Sequence, residues 1–195
     1  RALTRLRDGD VPGALDEYLR HDRITVSPDH QQLQNTIAQD YIAHLDHATH
    51  PDTADPGTTF QAGIASALLG YDPTRAPTAG GVLVVAATRR HAAGINDKIR
   101  ELLSERGDLH GPELTCRGGE EPLPLRAGDR VLVTLNDHDR GLLNGEHVTI
   151  TAVDVEQRHA VLVTTDHRQL HVTSDWAGEH LTHGYAMTAH KAQGQ

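Results

Sequence analysis

"GGVLVVAATRRHAAGINDKIRELLSERG", residues 80–107, decides the fold. Residues 82–87 are an unbroken apolar run, as a strand covered on both faces requires. A helix follows, with Ile95, Ile99, Leu102 and Leu103 on one inward stripe and Gly107 as its expected terminator. Thr88 and Arg89 stand at the junction, at the carboxyl end of the strand, where open α/β sheets present groups to ligands. Strand then helix is half of a βαβ unit.

Upstream, "RALTRLRDGDVPGALDEYLRHDRITV" (residues 1–26) reads as two short helices split at Asp8-Gly9-Asp10. Asp10 is placed to cap the second, with Pro12 in its first turn. Residues 23–26 are expected to form a short strand. Ser27-Pro28 then opens a longer helix, in which Leu33, Ile37, Tyr41 and Leu45 recur every four residues, and Pro51 ends it. Residues 52–81 are rich in Thr, Pro, Gly and Ala, as a linker or surface excursion is. Phe60, Ile64, Ala67 and Leu68 mark one short helix inside it.

Downstream the period changes near Gly111. "AGDRVLVTLND" (127–137) alternates, and "RGLLNGEHVTITAVD" (140–154) carries Asn144-Gly145 ahead of a Val/Thr/Ile strand. "HAVLVTTD" and "QLHVTSD" follow, with polar turns between them. Four short strands at hairpin spacing predict a small antiparallel sheet or barrel set into an α/β chain. The closing stretch, "GYAMTAHKAQGQ" (184–195), returns to strand-then-helix grammar. It brings a hydroxyl, an imidazole, an ammonium and free N–H groups to one point, as phosphate sites do. A hydrophobic strand whose helix is missing is expected to belong to a longer chain.

Composition bounds the function. The 195 residues are 37% hydrophobic with one Trp, one Phe and four Tyr, so Val, Leu, Ile and Ala must build the core. A lone cysteine, Cys116, excludes an internal disulfide, argues against a cysteine-based zinc site and suits a reducing compartment. No apolar run approaches the roughly 18 residues of a membrane span, and no signal peptide is present, so a cytoplasmic protein without a membrane partner is expected. The net charge of −9 argues against a general nucleic-acid coat but leaves room for a local basic patch. Lys98 and Lys191 are the only two lysines, which makes Lys191 the more notable. His44, His47 and His50 invite a metal reading, but no carboxylate or cysteine completes a ligand set, and solvated histidines are expected.

The order "VLVVAATRRHAAGIND", "AGDRVLVTLNDHDRGLLNGEHVTITAVD", "HGYAMTAHKAQGQ" resembles the C-terminal half of RecD-like superfamily 1 DNA helicases. Its nearest likeness is the helicase region of conjugative relaxases of the TraA/TraI/TrwC type. The resemblance covers residues 82–195 well and takes in the opening helices, while residues 52–81 match nothing in it. It implies an α/β fold: a partial RecA-like (P-loop NTPase-like) domain interrupted by a small antiparallel Src-homology-3-like barrel. The parts would be a helical lead-in (1–51), an excursion (52–81), a RecA-like strand and helix (82–110), the barrel (111–181) and a return to the core (182–195).

The resemblance also implies roles. Thr88, Arg89, Thr188, His190 and Lys191 match positions that contact single-stranded DNA. Gln193, Gly194 and Gln195 match the part that links DNA contact to the nucleotide cleft. Gly128, Asp129, Asn136, Asn144 and Gly145 match the signature that opens the barrel and shapes it. ATP and Mg²⁺ would serve the full-length protein, with none bound by this chain alone. No G-x-x-x-x-G-K-[ST] phosphate loop occurs, nor an acidic partner for Mg²⁺. The implied partners are single-stranded DNA, the remaining helicase domains, and conjugation coupling or secretion proteins.

Other readings stand beside these. The inserted region could be a protein-binding module recognised by the conjugation machinery, or the parent a stand-alone RecD-like or exonuclease V alpha-type helicase. Thr88 could merely cap a helix beside a solvated Arg89. Thr188, His190 and Lys191 could form an ordinary helix start. Asn144-Gly145 is favoured as a type I′ hairpin turn over a direct DNA contact.

Overall fold

A computed structural model describes residues 2–49, 82–119 and 121–188. The excursion predicted at 52–81, with its short helix, therefore lies outside the described residues, as does the closing segment 189–195.

The chain divides into two compact units, residues 1–33 and 34–195. In the first, α1 (Ala2–Arg7) and α2 (Val11–Arg20) flank the Asp8-Gly9-Asp10 break. The Asp10 carboxylate accepts the Gly13 N–H at 3.0 Å, and Gly9 takes a φ of +83° to make the turn. Residues 23–26 do not form the expected strand. Asp22 turns left-handed (φ +50°) and the Arg23 N–H bonds back to the Tyr18 carbonyl at 2.9 Å. Closing α2 in this way leaves Val26 exposed, and among the described residues no strand pairs with residues 23–26.

Helix α3 spans His30–Thr49. Ser27-Pro28 precedes it, but its first turn is capped two residues later than expected: the Asp29 carboxylate accepts the Gln31 N–H at 2.9 Å. Ala38 and Tyr41 are buried, and Ile37, Ile42 and Leu45 pack beside them.

In the second unit, β1 (Val84–Ala86) and α4 (Arg89–Arg106) follow one another as predicted, and Gly107 ends α4 at φ +82°. β1 is shorter than the apolar run, however. Val85 is 41% exposed, so the run is not covered on both faces. Among the described residues β1 pairs only with β9 (Ala186–Thr188), in parallel, with Ala86 opposite Thr188. Ala86, Ala92, Ile95, Ile99, Leu103, Tyr185 and Ala186 bury one core with Ala38 and Tyr41 of α3.

Between β1 and β9 lies an all-antiparallel unit. A hairpin pairs β2 (His110–Cys116) with β3 (Leu123–Ala127). A second sheet runs in the order β7 (Gln169–Thr173), β6 (His159–Thr164), β5 (His147–Asp154), β4 (Arg130–Val133), β8 (Leu181–His183). A short helix, α5 (Ser174–His180), joins β7 to β8; its sequence carries no clear helical signal. Leu114, Cys116, Leu125, Val131, Ile150, Leu162, Val172 and Ala177 share one core, so the two sheets face each other across it. Among the described residues their ladders remain separate rather than closing into one. β8 keeps the chain in the antiparallel sheet as far as His183. No described helix is long and apolar enough to cross a membrane.

Candidate nucleic-acid interface

Parallel pairing of β1 and β9 brings two strand ends to one edge. Thr188 ends β9 opposite Ala86, and Thr88 lies two residues beyond Ala86, so both threonines sit at the carboxyl edge of the pair. Thr88 caps α4: its hydroxyl accepts the His91 N–H at 3.2 Å, with extended backbone at φ −134°. Arg89, next along, is exposed. The N-terminus of an 18-residue helix, an exposed guanidinium and Thr188 therefore share one edge, an environment that favours an anion. His190, Lys191, Gln193, Gly194 and Gln195 lie outside the described residues.

A ladder of three residue pairs gives β9 little hold. Buried side chains supply the rest. Asn96, on the inward face of α4, accepts the Ala186 N–H at 2.7 Å and donates its amide to the Ala186 carbonyl at 3.1 Å. The Tyr185 hydroxyl donates to Asp129 at 2.8 Å and accepts the Arg130 N–H at 3.2 Å.

Asp129 is fully buried and has four donors on its carboxylate. Oδ1 accepts from Arg100 Nε and the Tyr185 hydroxyl, both at 2.8 Å. Oδ2 accepts from Arg100 Nη2 at 3.0 Å and the Arg126 N–H at 2.7 Å. Arg100 comes from α4, Arg126 from β3 and Tyr185 from the segment entering β9, so one carboxylate ties three elements together. Gly128 makes the approach possible. Its φ is +101°, and a Cβ there would lie 2.3 Å from the Asp108 carbonyl oxygen.

Burial and charge set the titration of these groups. Burial lowers Arg100, but its hydrogen bonds and attraction to Asp129 outweigh that and leave it raised. Burial raises the Tyr185 hydroxyl, and the negative charge of Asp129 adds to the shift. His183 is pulled down by burial, then by Arg100, and its Nε2 lies 2.9 Å from the Pro124 carbonyl. Burial, with the nearby Arg130 charge, lowers His147 to about 4. Burial raises the Cys116 thiol to about 11, which leaves it unreactive.

Asn136, Asn144 and Gly145 belong to a turn after β4. The Asn136 side chain accepts the Asn144 N–H at 2.7 Å, and the Glu146 N–H closes on the Leu143 carbonyl at 3.0 Å. Gly145 has φ +94° while Asn144 is not in the positive region. That is the sign pattern of a type II turn, not the expected type I′, which needs both central residues positive. Asn144 is held from outside by Asn136, so it need not supply the left-handed residue itself.

The structure brings Thr88, Arg89 and Thr188 to one strand edge and makes Asp129 a buried anchor. Arg100 and Arg126, which hold it, and Asn96 on α4 are three residues that the sequence reading did not single out. Asn96 had a readable signal: it lies one, three and seven residues from Ile95, Ile99 and Leu103, a polar residue inside an apolar stripe. Among the described residues no group of three His, Cys, Asp or Glu is placed to hold a metal ion.

The chain is similar in sequence to conjugal transfer proteins. It is 28% identical to the conjugal transfer protein TraA of Rhizobium radiobacter over 196 residues, which takes in all of this chain and 15% of that protein. It is 32% identical over 124 residues to the conjugal transfer protein TraA of Agrobacterium fabrum, covering 64% of this chain and 11% of that one. The chain thus spans a small part of its curated relatives. No protein-family model matches it. Among solved structures, a Bacteroides Pif1 helicase double mutant is similar at a TM-score of 0.40 and 16% identity, over 87% of this chain and 41% of that one. Bacteroides Pif1 bound to single-stranded DNA gives 0.38 and 17% identity, over 80% and 40%.

Proposed function

We propose that the chain is part of an ATP-dependent DNA helicase or translocase that acts on single-stranded DNA, the helicase part of a conjugative relaxase. The observation that carries this reading is the sequence relation to TraA across the whole chain. The anion-favouring edge at Thr88 and Thr188 supports it. In this reading β1, α4 and β9 belong to a RecA-like domain, and β2 to β8 are its inserted Src-homology-3-like barrel. Thr88, Arg89, Thr188, His190 and Lys191 hold DNA phosphates, and Gln193, Gly194 and Gln195 face the nucleotide cleft. The remaining helicase domains, and conjugation coupling or secretion proteins, are the partners it implies.

ATP and Mg²⁺ do not fit the residues present here. A phosphate loop needs a lysine after glycine, but Lys98 follows Asp97 and pairs with Glu101 at 2.5 Å, and Lys191 follows His190. The triphosphate and its metal therefore fall to another domain, and the purified chain should not hydrolyse ATP. What this chain supplies is the grip on the strand. Contacts to phosphates carry no sequence information, so base preference should be weak.

Lys191→Ala in the full-length protein tests the reading. Losing one phosphate-facing ammonium should weaken single-strand binding by about 1–2 kcal/mol and reduce the salt slope by about 0.7. Thr188→Ala should act in the same direction but more weakly, because a hydroxyl brings no charge. Binding curves for Lys191→Ala that superimpose on wild type at every salt concentration would overturn the reading.

A further inference from the structure

We propose that Asn144 is a covalent modification site that the fold holds closed: its side chain loses ammonia to become aspartate or isoaspartate only when its turn opens. Of the asparagines in the chain it alone precedes a glycine, which places no side chain beside the attacking nitrogen. The Gly145 nitrogen gives up its proton to base and attacks the Asn144 side-chain carbonyl carbon. A bond forms between these two atoms, the Cγ–Nδ2 bond breaks, and Nδ2 leaves as ammonia. Water then opens the cyclic succinimide at either carbonyl, giving aspartate from one and isoaspartate from the other. Water is the only co-reactant, and nothing is oxidised or reduced.

The leaving group is open to solvent. Asn144 is exposed, and among the described residues its side-chain amide has no hydrogen-bond partner. The obstacle is the attacking nitrogen. The Gly145 N–H donates to the Val133 carbonyl at 2.8 Å, and the Val133 N–H donates to the Glu146 carbonyl at 2.8 Å. The nitrogen is thus tied into the end of the β4–β5 pair, and its proton faces a carbonyl oxygen rather than a base in solvent. The turn around it is closed by further bonds. The Asn136 side chain accepts the Asn144 N–H at 2.7 Å, and the Glu146 carboxylate accepts the Leu143 N–H at 3.2 Å. Attack requires turning Gly145 out of this frame, which breaks its bond to Val133. The rate then follows the fraction of time the turn is open. Reaction would reach the sheet, because isoaspartate lengthens the backbone by one carbon just before the β4–β5 ladder begins at Leu132 and His147. Either product also adds a negative charge two residues from Glu146.

The test follows the full-length protein by peptide mass spectrometry during incubation at mildly alkaline pH, folded and in urea. Trypsin releases residues 141–158, in which Asn144 is the single asparagine. Conversion is expected to be at least about tenfold slower in the folded protein than in urea, because several hydrogen bonds must break before attack. Asn136→Ala removes one of them and should speed conversion of the folded protein about two- to fivefold, while leaving the rate in urea unchanged. Equal rates for wild type in the two conditions would show that the fold does not hold the site closed. No conversion even in urea would overturn the site itself. A folded Asn136→Ala protein that converts at the wild-type rate would overturn the closing role of Asn136. Should that variant not fold, the wild-type comparison still decides.

Discussion

The side chain of Asn96 is hydrogen-bonded to both polar groups of Ala186, accepting its N–H at 2.7 Å and donating to its carbonyl at 3.1 Å. One amide thus acts as the missing neighbour of a strand. Asn96→Leu should leave a buried N–H and a buried C=O without this partner. A loss of about 2–4 kcal/mol is expected in urea unfolding, with fast hydrogen exchange at the Ala186 amide. Protection of that amide in the variant would show that the ladder with β1 holds β9 unaided.

Much of this arrangement was legible in the sequence. The strand, the cap at Thr88 and the stop at Gly107 follow from local chemistry, because each depends on neighbours within four residues. So does the switch to period 2 that produces β4 to β7. The missed parts are long-range. Arg100 and Asp129 are 29 positions apart and Asn96 and Ala186 are 90 apart, and no local pattern declares such pairs. Residues 23–26 failed for the opposite reason: Arg-Ile-Thr-Val has strand propensity, but among the described residues no strand pairs with it. The turn at Asn144 failed because Asn136 stabilises it from eight residues away.

Gly128→Ala should be costly. The position combines a φ of +101° with a backbone oxygen only 2.3 Å from where a Cβ would lie, so relaxing one conflict does not remove the other. A destabilisation of about 2–4 kcal/mol is expected, measured by thermal or urea unfolding. A variant as stable as wild type would mean that the Asp108–Gly128 contact is not tight.

Acid should destabilise the antiparallel unit through His147. Its folded pKa is lowered to about 4 from 6.5, so between these values the unfolded chain binds a proton that the folded chain excludes. Stability is then fully present above pH 6.5 and falls as the pH drops towards 4, by an amount of order 3 kcal/mol at most. His183 is shifted in the same direction and should add to the trend. His147→Gln should flatten the dependence over this window. An unchanged slope in unfolding free energy against pH would show that His147 is not its source.

The turn at residues 143–146 separates shape from contact. Gly145 has φ +94°, and Asn136 holds the Asn144 N–H at 2.7 Å, so both residues are accounted for by the turn itself. Gly145→Ala forces a left-handed alanine and should cost about 1 kcal/mol or slightly more. Asn136→Ala removes the acceptor of an exposed N–H that water can replace, and should cost about 0.5–1 kcal/mol. Neither change removes a cation, so single-strand affinity in the full-length protein should stay within twofold of wild type, and the salt slope should not move. Direct contact of this turn with DNA predicts the reverse: affinity falling with Asn136→Ala while stability holds. Measuring melting temperature and strand affinity on the same two variants decides between the readings, because a turn that only shapes the unit changes the first and spares the second.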